Sequence, residues 1–264
     1  MNNWYNKSPV AAGLLVGQGL FILFILFEYF LVITGISDCG VIADSCIRVA
    51  FGVIALFIIS SIYREQFWRL FFSKIPNSTW LYCIPFFLYL AVEFLYFPIS
   101  NHITTAYVSD YLLACLNQLA TGFWEETASK GLVMSGMLAK WGRTKKGRIG
   151  MVFITGILFG SLHIINVLFN NDLIFSIINA IYSSAFGIFM AAIYLYAKNI
   201  TLCMVLHAIW DIIIRIPGHF CEGIQDGAIL RFICESQDVL LLGIFPIISV
   251  IICILSNNVE RTES

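Results

Sequence analysis

Charged side chains are scarce in this 264-residue sequence, where Asp, Glu, Lys and Arg together make up 12%, about half of what a soluble domain of ordinary composition carries. Apolar residues make up 59%. One soluble core cannot bury that much apolar surface, so most of it must face lipid or other membrane-spanning helices. The net charge is −1, and the absence of a broad basic surface argues against nucleic-acid binding.

Patterned cysteines and a cleavable leader are also missing. The eight cysteines form no CxxC pair and no zinc-finger spacing, which argues against a cysteine-ligated metal. Four of them, Cys39, Cys46, Cys221 and Cys234, fall in predicted external loops, and we predict that at least one pair is oxidised if that side is oxidising. The apolar stretch 10–36 exceeds the roughly 7–15 residues of a signal-peptide core, so we interpret it as a first span.

Apolar runs divide the chain into eight predicted membrane-spanning helices, and we expect a single all-α membrane bundle over residues 1–264. About 20 residues are needed to cross ~30 Å of hydrocarbon, and most runs approach that length. The runs cover residues 10–34, 47–63, 80–97, 108–139, 149–169, 173–197, 200–214 and 239–255. The fourth is longer than one simple span requires, so we expect it to be tilted or to begin with a short amphipathic piece.

Basic residues alternate from loop to loop. They concentrate in loops 64–74 and 140–148 and at Lys198, whereas the intervening loops carry few. The positive-inside rule makes the basic loops cytoplasmic and places both termini on the same side. Arg215 and Arg231 fit less well, because they lie in a loop that should be external. We expect a multi-pass protein of a bacterial plasma membrane.

Two adjacent glutamates, Glu125 and Glu126, lie inside the fourth predicted span, where each charged group costs at least ~2.5–3.5 kcal/mol. Lys130 follows Glu126 at i,i+4 with the acid first, which is the favourable order for an ion pair. Glu125 projects about 100° away around the helix, so that pair does not neutralise it. A partly desolvated carboxylate is suited to general-base chemistry near neutral pH, which makes Glu125 a candidate catalytic residue.

Histidines occupy two further spans. His163 follows Gly156 and Gly160, whose GxxxG spacing allows another helix to approach closely. His207 and Asp211 are spaced i,i+4, so both project from one face of the seventh span. A lone histidine in a span is usually a hydrogen-bonded packing residue, and a lone Glu–Lys pair is usually structural. The combination of all these groups in one membrane domain favours a catalytic site.

Depth along the helices is a separate check on whether these groups meet. Glu125 and His163 each lie 15 residues from the nearest cytoplasmic basic residue, or ~22 Å along a helix. His207 lies nine residues from Lys198, or ~13 Å, so tilt or a re-entrant start must bring it to the others. Glu28 and Glu93 are also within spans, and we assign them structural or interfacial roles.

At these motifs the sequence resembles the CPBP family, which comprises type II CAAX prenyl endopeptidases and the bacterial bacteriocin-processing and immunity proteins called Abi. The family pattern is EExxxR, then FxxxH, then HxxxN or HxxxD. The matching residues are Glu125, Glu126 and Lys130, then Phe159 and His163, and finally His207 and Asp211. Lys130 replaces the usual Arg, which removes a planar bidentate donor. The resemblance covers about residues 121–211, within an expected peptidase core of about 105–216, and it also implies about eight spans.

The resemblance implies peptide-bond hydrolysis within the membrane. Glu125 would be the general base that activates water, with His163 sharing that role, and His207 with Asp211 would polarise the scissile carbonyl and stabilise the oxyanion. Glu126 with Lys130 would hold the helix and the local charge. The family is commonly described as metalloproteases, so zinc on Glu125, His163 and His207, with water in the open position, is one reading. A metal-free glutamate mechanism is the other.

Several partners and functions stay open at this level. The substrate would be a peptide or protein in the lipid bilayer, and a prenylated C-terminus, a bacteriocin leader and a signalling peptide all fit. A catalytically inactive immunity or scaffold protein would keep the same fold and bind a partner. A proton-coupled transporter would use buried acids and histidines as a relay, but it would also show repeated broken helices in two halves, and the sequence has no such symmetry.

Overall fold

The computed structural model describes residues 7–35, 40–100, 102–103, 108–222 and 237–256. They form the expected bundle of helices. One sheet occurs in this described part of the chain, an antiparallel pair of two-residue strands, β1 (His102–Ile103) and β2 (Cys221–Glu222). The architecture is otherwise helical throughout, as the apolar runs predicted.

The helices follow the apolar runs in chain order. They are α1 (Pro9–Ile33), α2 (Gly40–Tyr63), α3 (Phe67–Phe72), α4 (Thr79–Tyr82), α5 (Ile84–Ser100), α6 (Val108–Glu126), α7 (Ser135–Trp141), α8 (Lys145–Ser161), α9 (Val167–Asn170), α10 (Leu173–Ala197), α11 (Ile200–Phe220) and α12 (Phe245–Leu255). Two 3₁₀-helical segments, Arg64–Gln66 and Leu162–Asn166, precede α3 and α9. Two π-helical segments, Thr127–Met134 and Val239–Ile244, lead into α7 and α12. The long fourth run is therefore one helix from α6 to α7, interrupted by a π-helical stretch.

Within the described residues, four helical segments are long and apolar enough to cross a membrane. They are α1, α2, Lys145–Phe169 and α10, each of 24 or 25 residues. Three more, Ile84–Phe94, Ile200–Ile214 and Val239–Leu255, are apolar but shorter. On the outside of the bundle large apolar side chains are exposed, such as Phe57 at 74%, as expected where lipid covers the surface. These features are those of a multi-pass membrane protein, and the count of eight spans stays a prediction.

Helix α2 begins earlier than the sequence predicted. Its first residue is Gly40, so Asp44 and Cys46 lie in the helix and not in a loop. The physical reason is that Asp44 forms an i,i+4 ion pair with Arg48, at 3.1 Å, which stabilises the first turns. Cys46 is exposed and free, and the predicted oxidised pair stays a prediction. Cys39 and Cys234 lie outside the described residues, as does the side chain of Cys221.

Helix α10 lies at the centre of the bundle, and its second half is buried on every side. Helix α8 packs against it through the predicted GxxxG pattern. A Cβ atom on Gly156 would come within 2.3 Å of the Ile188 nitrogen, and one on Gly160 within 2.0 Å of the Ser184 hydroxyl oxygen. Only glycine permits this approach. The contact fixes the end of α8, and therefore the start of the turn that carries His163.

Candidate active site

Three helical segments bring the predicted residues together. Glu125 and Glu126 are the last two residues of α6, directly before the π-helical stretch. His163 lies in the 3₁₀ segment after α8. His207 and Asp211 lie on α11, which packs along α6. Gly122 makes this packing close, because a Cβ atom there would lie 2.7 Å from the Met204 carbonyl oxygen.

Glu126 is the buried anchor of the centre. It has no exposed surface, and its Oε2 lies 2.9 Å from the Lys130 Nζ, which is equally buried. Its Oε1 lies 2.8 Å from the His207 Nδ1. One carboxylate therefore binds a cation on its own helix and a histidine on α11. The Glu126–Lys130 ion pair that the i,i+4 spacing predicted is present. Glu126 also contacts His207, which lies 81 positions further along the chain.

Glu125 has a different environment from its neighbour. Its side chain keeps 15% of its surface exposed, and its Oε2 lies 3.7 Å from the His207 Nε2. The Oδ2 of Asp211 lies 3.8 Å from the same nitrogen. Since Nδ1 is engaged by Glu126, Nε2 is the histidine nitrogen that faces these two carboxylates. Both distances exceed a direct hydrogen bond.

His163 lines one cavity together with Glu125, and this cavity has a volume of about 150 Å³. The His163 Nδ1 lies 3.3 Å from the Phe159 carbonyl oxygen, one turn back. The Phe159 ring lies between the two histidines, with centroid distances of 5.4 Å to His163 and 5.8 Å to His207. The Lys130 Nζ lies 5.4 Å from the centroid of the same ring, a cation–π contact. The aromatic residue of the FxxxH motif therefore packs at the middle of the site.

The depth mismatch expected for His207 has a structural explanation. Lys198 was counted as a marker of the membrane surface, but its Nζ is buried. Burial, with a further contribution from Arg148, lowers the pKa of Lys198 from 10.5 to about 8. Lys198 is thus an unsuitable marker of the membrane surface, and His207 meets Glu126 directly, with its Nδ1 2.8 Å from the carboxylate.

A second charged cluster in the same cavity was missed at the sequence level. Glu28 on α1 and Arg48 on α2 line the cavity beside Glu125. The Arg48 Nε lies 3.1 Å from Asp44, and its Nη2 lies 3.6 Å from Glu28. Asp44 also accepts a hydrogen bond from the Asn117 Nδ2 at 2.7 Å. The signal that could have found this cluster was Arg48, a charge within the apolar run 47–63 that follows Asp44 by one helical turn.

The predicted zinc ligands do not form a ready metal site. Within the described ranges, no group of three or more His, Cys, Asp or Glu side chains is arranged to hold a metal ion. The Nδ1 of His207 is engaged by Glu126, and the Nδ1 of His163 faces a backbone carbonyl oxygen. A tetrahedral site needs converging ligands at about 2.0–2.2 Å from the metal. Zinc binding by Glu125, His163 and His207 therefore stays a prediction that the side-chain geometry does not support.

A comparison with protein families identifies the class of this site. The model described as "Type II CAAX prenyl endopeptidase Rce1-like" matches residues 107–213. That stretch includes every residue of the three motifs. The chain therefore carries an Rce1-like domain of the type II CAAX prenyl endopeptidase, or CPBP, family. Comparisons with curated proteins and with solved structures gave no match.

Proposed function

We propose that this protein is an intramembrane endopeptidase that hydrolyses a peptide bond of a membrane-associated peptide or protein. One observation carries the proposal. Glu125 and His163 line a single cavity, and the His207 Nε2 lies 3.7 Å from the Glu125 carboxylate. The family of the domain supports the same chemistry. A packing role alone would not require a partly exposed carboxylate and two histidines around one cavity inside a helical membrane bundle.

In the proposed reaction Glu125 acts as the general base. It accepts a proton from a water molecule while the water oxygen attacks the carbonyl carbon of the scissile bond. The carbonyl oxygen then carries the negative charge of a tetrahedral intermediate. As the C–N bond breaks, the proton held by Glu125, with the help of His163, passes to the leaving nitrogen. The products are a carboxylic acid and an amine, so the overall step consumes one water.

His207 is proposed to stabilise the oxyanion through its Nε2, with Asp211 orienting the ring. In the proposed step the ring is an imidazolium, in which Nδ1 donates to Glu126 and Nε2 donates to the oxyanion. Glu126 accepts a hydrogen bond from Nδ1, which fixes the plane of the ring. Lys130 balances the charge of Glu126. A preorganised donor of this kind typically contributes 10²–10³-fold in rate. Glu126 and Lys130 are thus positioning residues.

The proposed setting is a bundle of about eight spans in a bacterial plasma membrane, with both termini in the cytoplasm. A prenylated C-terminus, a bacteriocin leader and a signalling peptide are all compatible as substrates, because each presents a peptide near the lipid. A non-catalytic immunity or scaffold protein is the competing proposal. Substitution of the proposed catalytic residues separates the two.

The test compares membranes containing the wild type with membranes containing Glu125→Gln, His163→Ala or His207→Ala. We expect each variant to accumulate in the membrane and to lose cleavage, whereas Asp211→Asn, which keeps an acceptor and gains a donor, should have a milder effect. The readout is a proteomic comparison of peptides released from the membrane fraction. Glu93→Gln is the matched control, since Glu93 is an intramembrane acid that binds Gln237 away from the cavity. Full activity in Glu125→Gln would contradict the proposed mechanism, and a wild type that releases no more peptides than membranes without the protein would favour the scaffold.

Zinc requires its own measurement. If zinc takes part, the purified protein contains about one ion per chain, and chelation removes activity that added zinc restores. Activity in a rigorously metal-free preparation would favour the glutamate mechanism without metal. The metal content can be read by mass spectrometry whether or not a substrate is known.

A further inference from the structure

The cavity beside Glu125 has the size and lining of a pocket for one side chain. Its volume is about 150 Å³, similar to cavities that bind a benzene-sized ligand. Much of the wall is aromatic or aliphatic and includes Phe24 and Trp124. Glu28 and Arg48 contribute charge. A pocket of this volume cannot enclose a folded partner, but it admits a single side chain next to the reacting bond.

Charge around the cavity and the catalytic centre is unbalanced. Among the described residues, the acids of the two clusters are Glu28, Asp44, Glu125, Glu126 and Asp211. The permanent cations in the same clusters are Arg48 and Lys130. Protonation of both His163 and His207 would still leave an excess of acid. Uncompensated charge within a membrane is costly, so this part of the protein favours a further cation or bound protons.

Of the two carboxylates that contact Arg48, Glu28 has the longer contact. Asp44 lies 3.1 Å from the Arg48 Nε, whereas the closest approach of Glu28 to that guanidinium is 3.6 Å. The Glu28 side chain is 25% exposed. An incoming cation at the cavity can therefore approach Glu28 without displacing Arg48 from Asp44.

Trp124 is a second, independent sign that this cavity receives a ligand. The residue lines the cavity and has no exposed surface. Its Nε1 hydrogen has no hydrogen-bond partner among the residues that the structure describes. A buried donor left without an acceptor costs about 1–3 kcal/mol. A main-chain carbonyl oxygen of a bound peptide would satisfy it after a small side-chain adjustment.

We propose that Glu28 is a specificity-determining residue, which binds the basic side chain of a substrate Lys or Arg next to the scissile bond. The ammonium or guanidinium group pairs with the Glu28 carboxylate, and Arg48 stays with Asp44. The Trp124 indole donates to a carbonyl oxygen of the same peptide. The inference rests on the proposed peptidase function, because it concerns the choice of substrate. Its binding test does not require hydrolysis.

The first experiment measures selectivity during hydrolysis. Quenched fluorescent peptides containing one arginine, and matched peptides with neutral citrulline in its place, are offered to the purified protein in detergent. We expect kcat/KM to favour arginine by about tenfold, the value of one additional charge-assisted contact. Glu28→Gln should bring the ratio close to one, and Glu93→Gln should keep it. A wild-type ratio near one, or an unchanged ratio in Glu28→Gln, would overturn the inference.

The second experiment measures binding in a protein that does not cleave. Benzophenone-tagged versions of the same peptides are photo-crosslinked to Glu125→Gln, with and without Glu28→Gln. Stronger labelling by the arginine peptide that disappears with Glu28→Gln supports the inference, even where the wild type hydrolyses neither peptide and the proposed function fails. Equal labelling by both peptides overturns it. A Glu28→Lys protein that instead prefers a glutamate-containing peptide would exclude a merely structural role.

Discussion

Two charged clusters lie side by side in this membrane domain, and they are built differently. The inner cluster, Glu126, Lys130 and His207, has contacts of 2.8 and 2.9 Å and almost no exposed surface. The cavity cluster, Glu28, Asp44, Arg48 and Asn117, includes a contact of 3.6 Å and keeps 17–36% of its charged side chains exposed. Both concentrate charge in a helical bundle that is otherwise mostly apolar.

The difference shows how one fold separates positioning from binding. Buried charges in direct contact have no alternative partners, because water cannot replace those that they lose. They hold His207 and the end of α6 in one arrangement. Charged groups that line a cavity and are held by a longer contact can exchange partners at a lower cost in free energy. The inner cluster is therefore suited to fix the catalytic groups, and the cavity cluster is suited to meet a substrate. Substitutions of the buried cations test this contrast.

The largest effect is expected for Lys130→Met. Removing the cation leaves Glu126 as a fully buried carboxylate whose remaining partner is His207, and breaking a buried pair in this way typically costs about 3–5 kcal/mol. We expect a large drop in the thermal unfolding temperature of the detergent-solubilised protein. Lys130→Arg, which restores the residue usual in the family, should fold and keep the pair. Equal stability of Lys130→Met and the wild type would show that the inner cluster does not depend on its cation.

A smaller effect is expected for Arg48→Met. Asp44 keeps the Asn117 hydrogen bond, and both carboxylates are partly exposed, so the cost should be near that of a lost charge-assisted bond, about 1.5–3 kcal/mol. The same thermal unfolding assay measures it, with the exposed Arg64→Met as control. A loss as large as that of Lys130→Met would mean that the cavity cluster is as rigid as the inner one.

Lys198 extends the comparison to a buried cation whose Nζ has no hydrogen-bond partner within the described chain, and its replacement should cause no loss of stability at neutral pH. Its pKa is lowered from 10.5 to about 8. Below pH 8 the folded and unfolded states both hold the proton, and the folded state carries the cost of the buried charge. Between pH 8 and 10.5 the unfolded state binds more protons, so stability should rise with pH. Lys198→Met should be more stable than the wild type at pH 7, with the difference shrinking toward pH 10.

Melting curves at pH 7, 8, 9 and 10 decide this point. Lys140→Met is the matched control, because Lys140 is exposed and should give the same pH dependence as the wild type. A wild type whose unfolding temperature does not rise relative to Lys198→Met across this range would show that Lys198 keeps its charge at little cost.

Much of the fold could be predicted from the sequence, because apolar runs and glycine spacing act locally along each helix. The Glu126–Lys130 pair followed from helical periodicity in the same way. The contact between His207 and Glu126 did not, since the residue count started from Lys198, whose Nζ is buried. Glu28 was assigned a structural or interfacial role, and its contact with Arg48, on another helix, does not follow from the pattern of either helix. Both cases depend on contacts between helices that are far apart in the sequence. The periodicity of one helix gives no information about such contacts.

The π-helical stretch Thr127–Met134 has a consequence for how the chain tolerates changes in length. The amide of Ser135 bonds to the carbonyl of Lys130, five residues back, whereas an α-helix closes its turns over four. Each such turn stores an additional residue. A one-residue deletion here can be absorbed by conversion to an α-helical turn, with α7 keeping its orientation relative to Glu125. The same deletion inside α6 or α7 would rotate everything beyond it by about 100°. Among homologous chains, a single gap after the paired glutamates would thus record a change of helix type and not the loss of the motif.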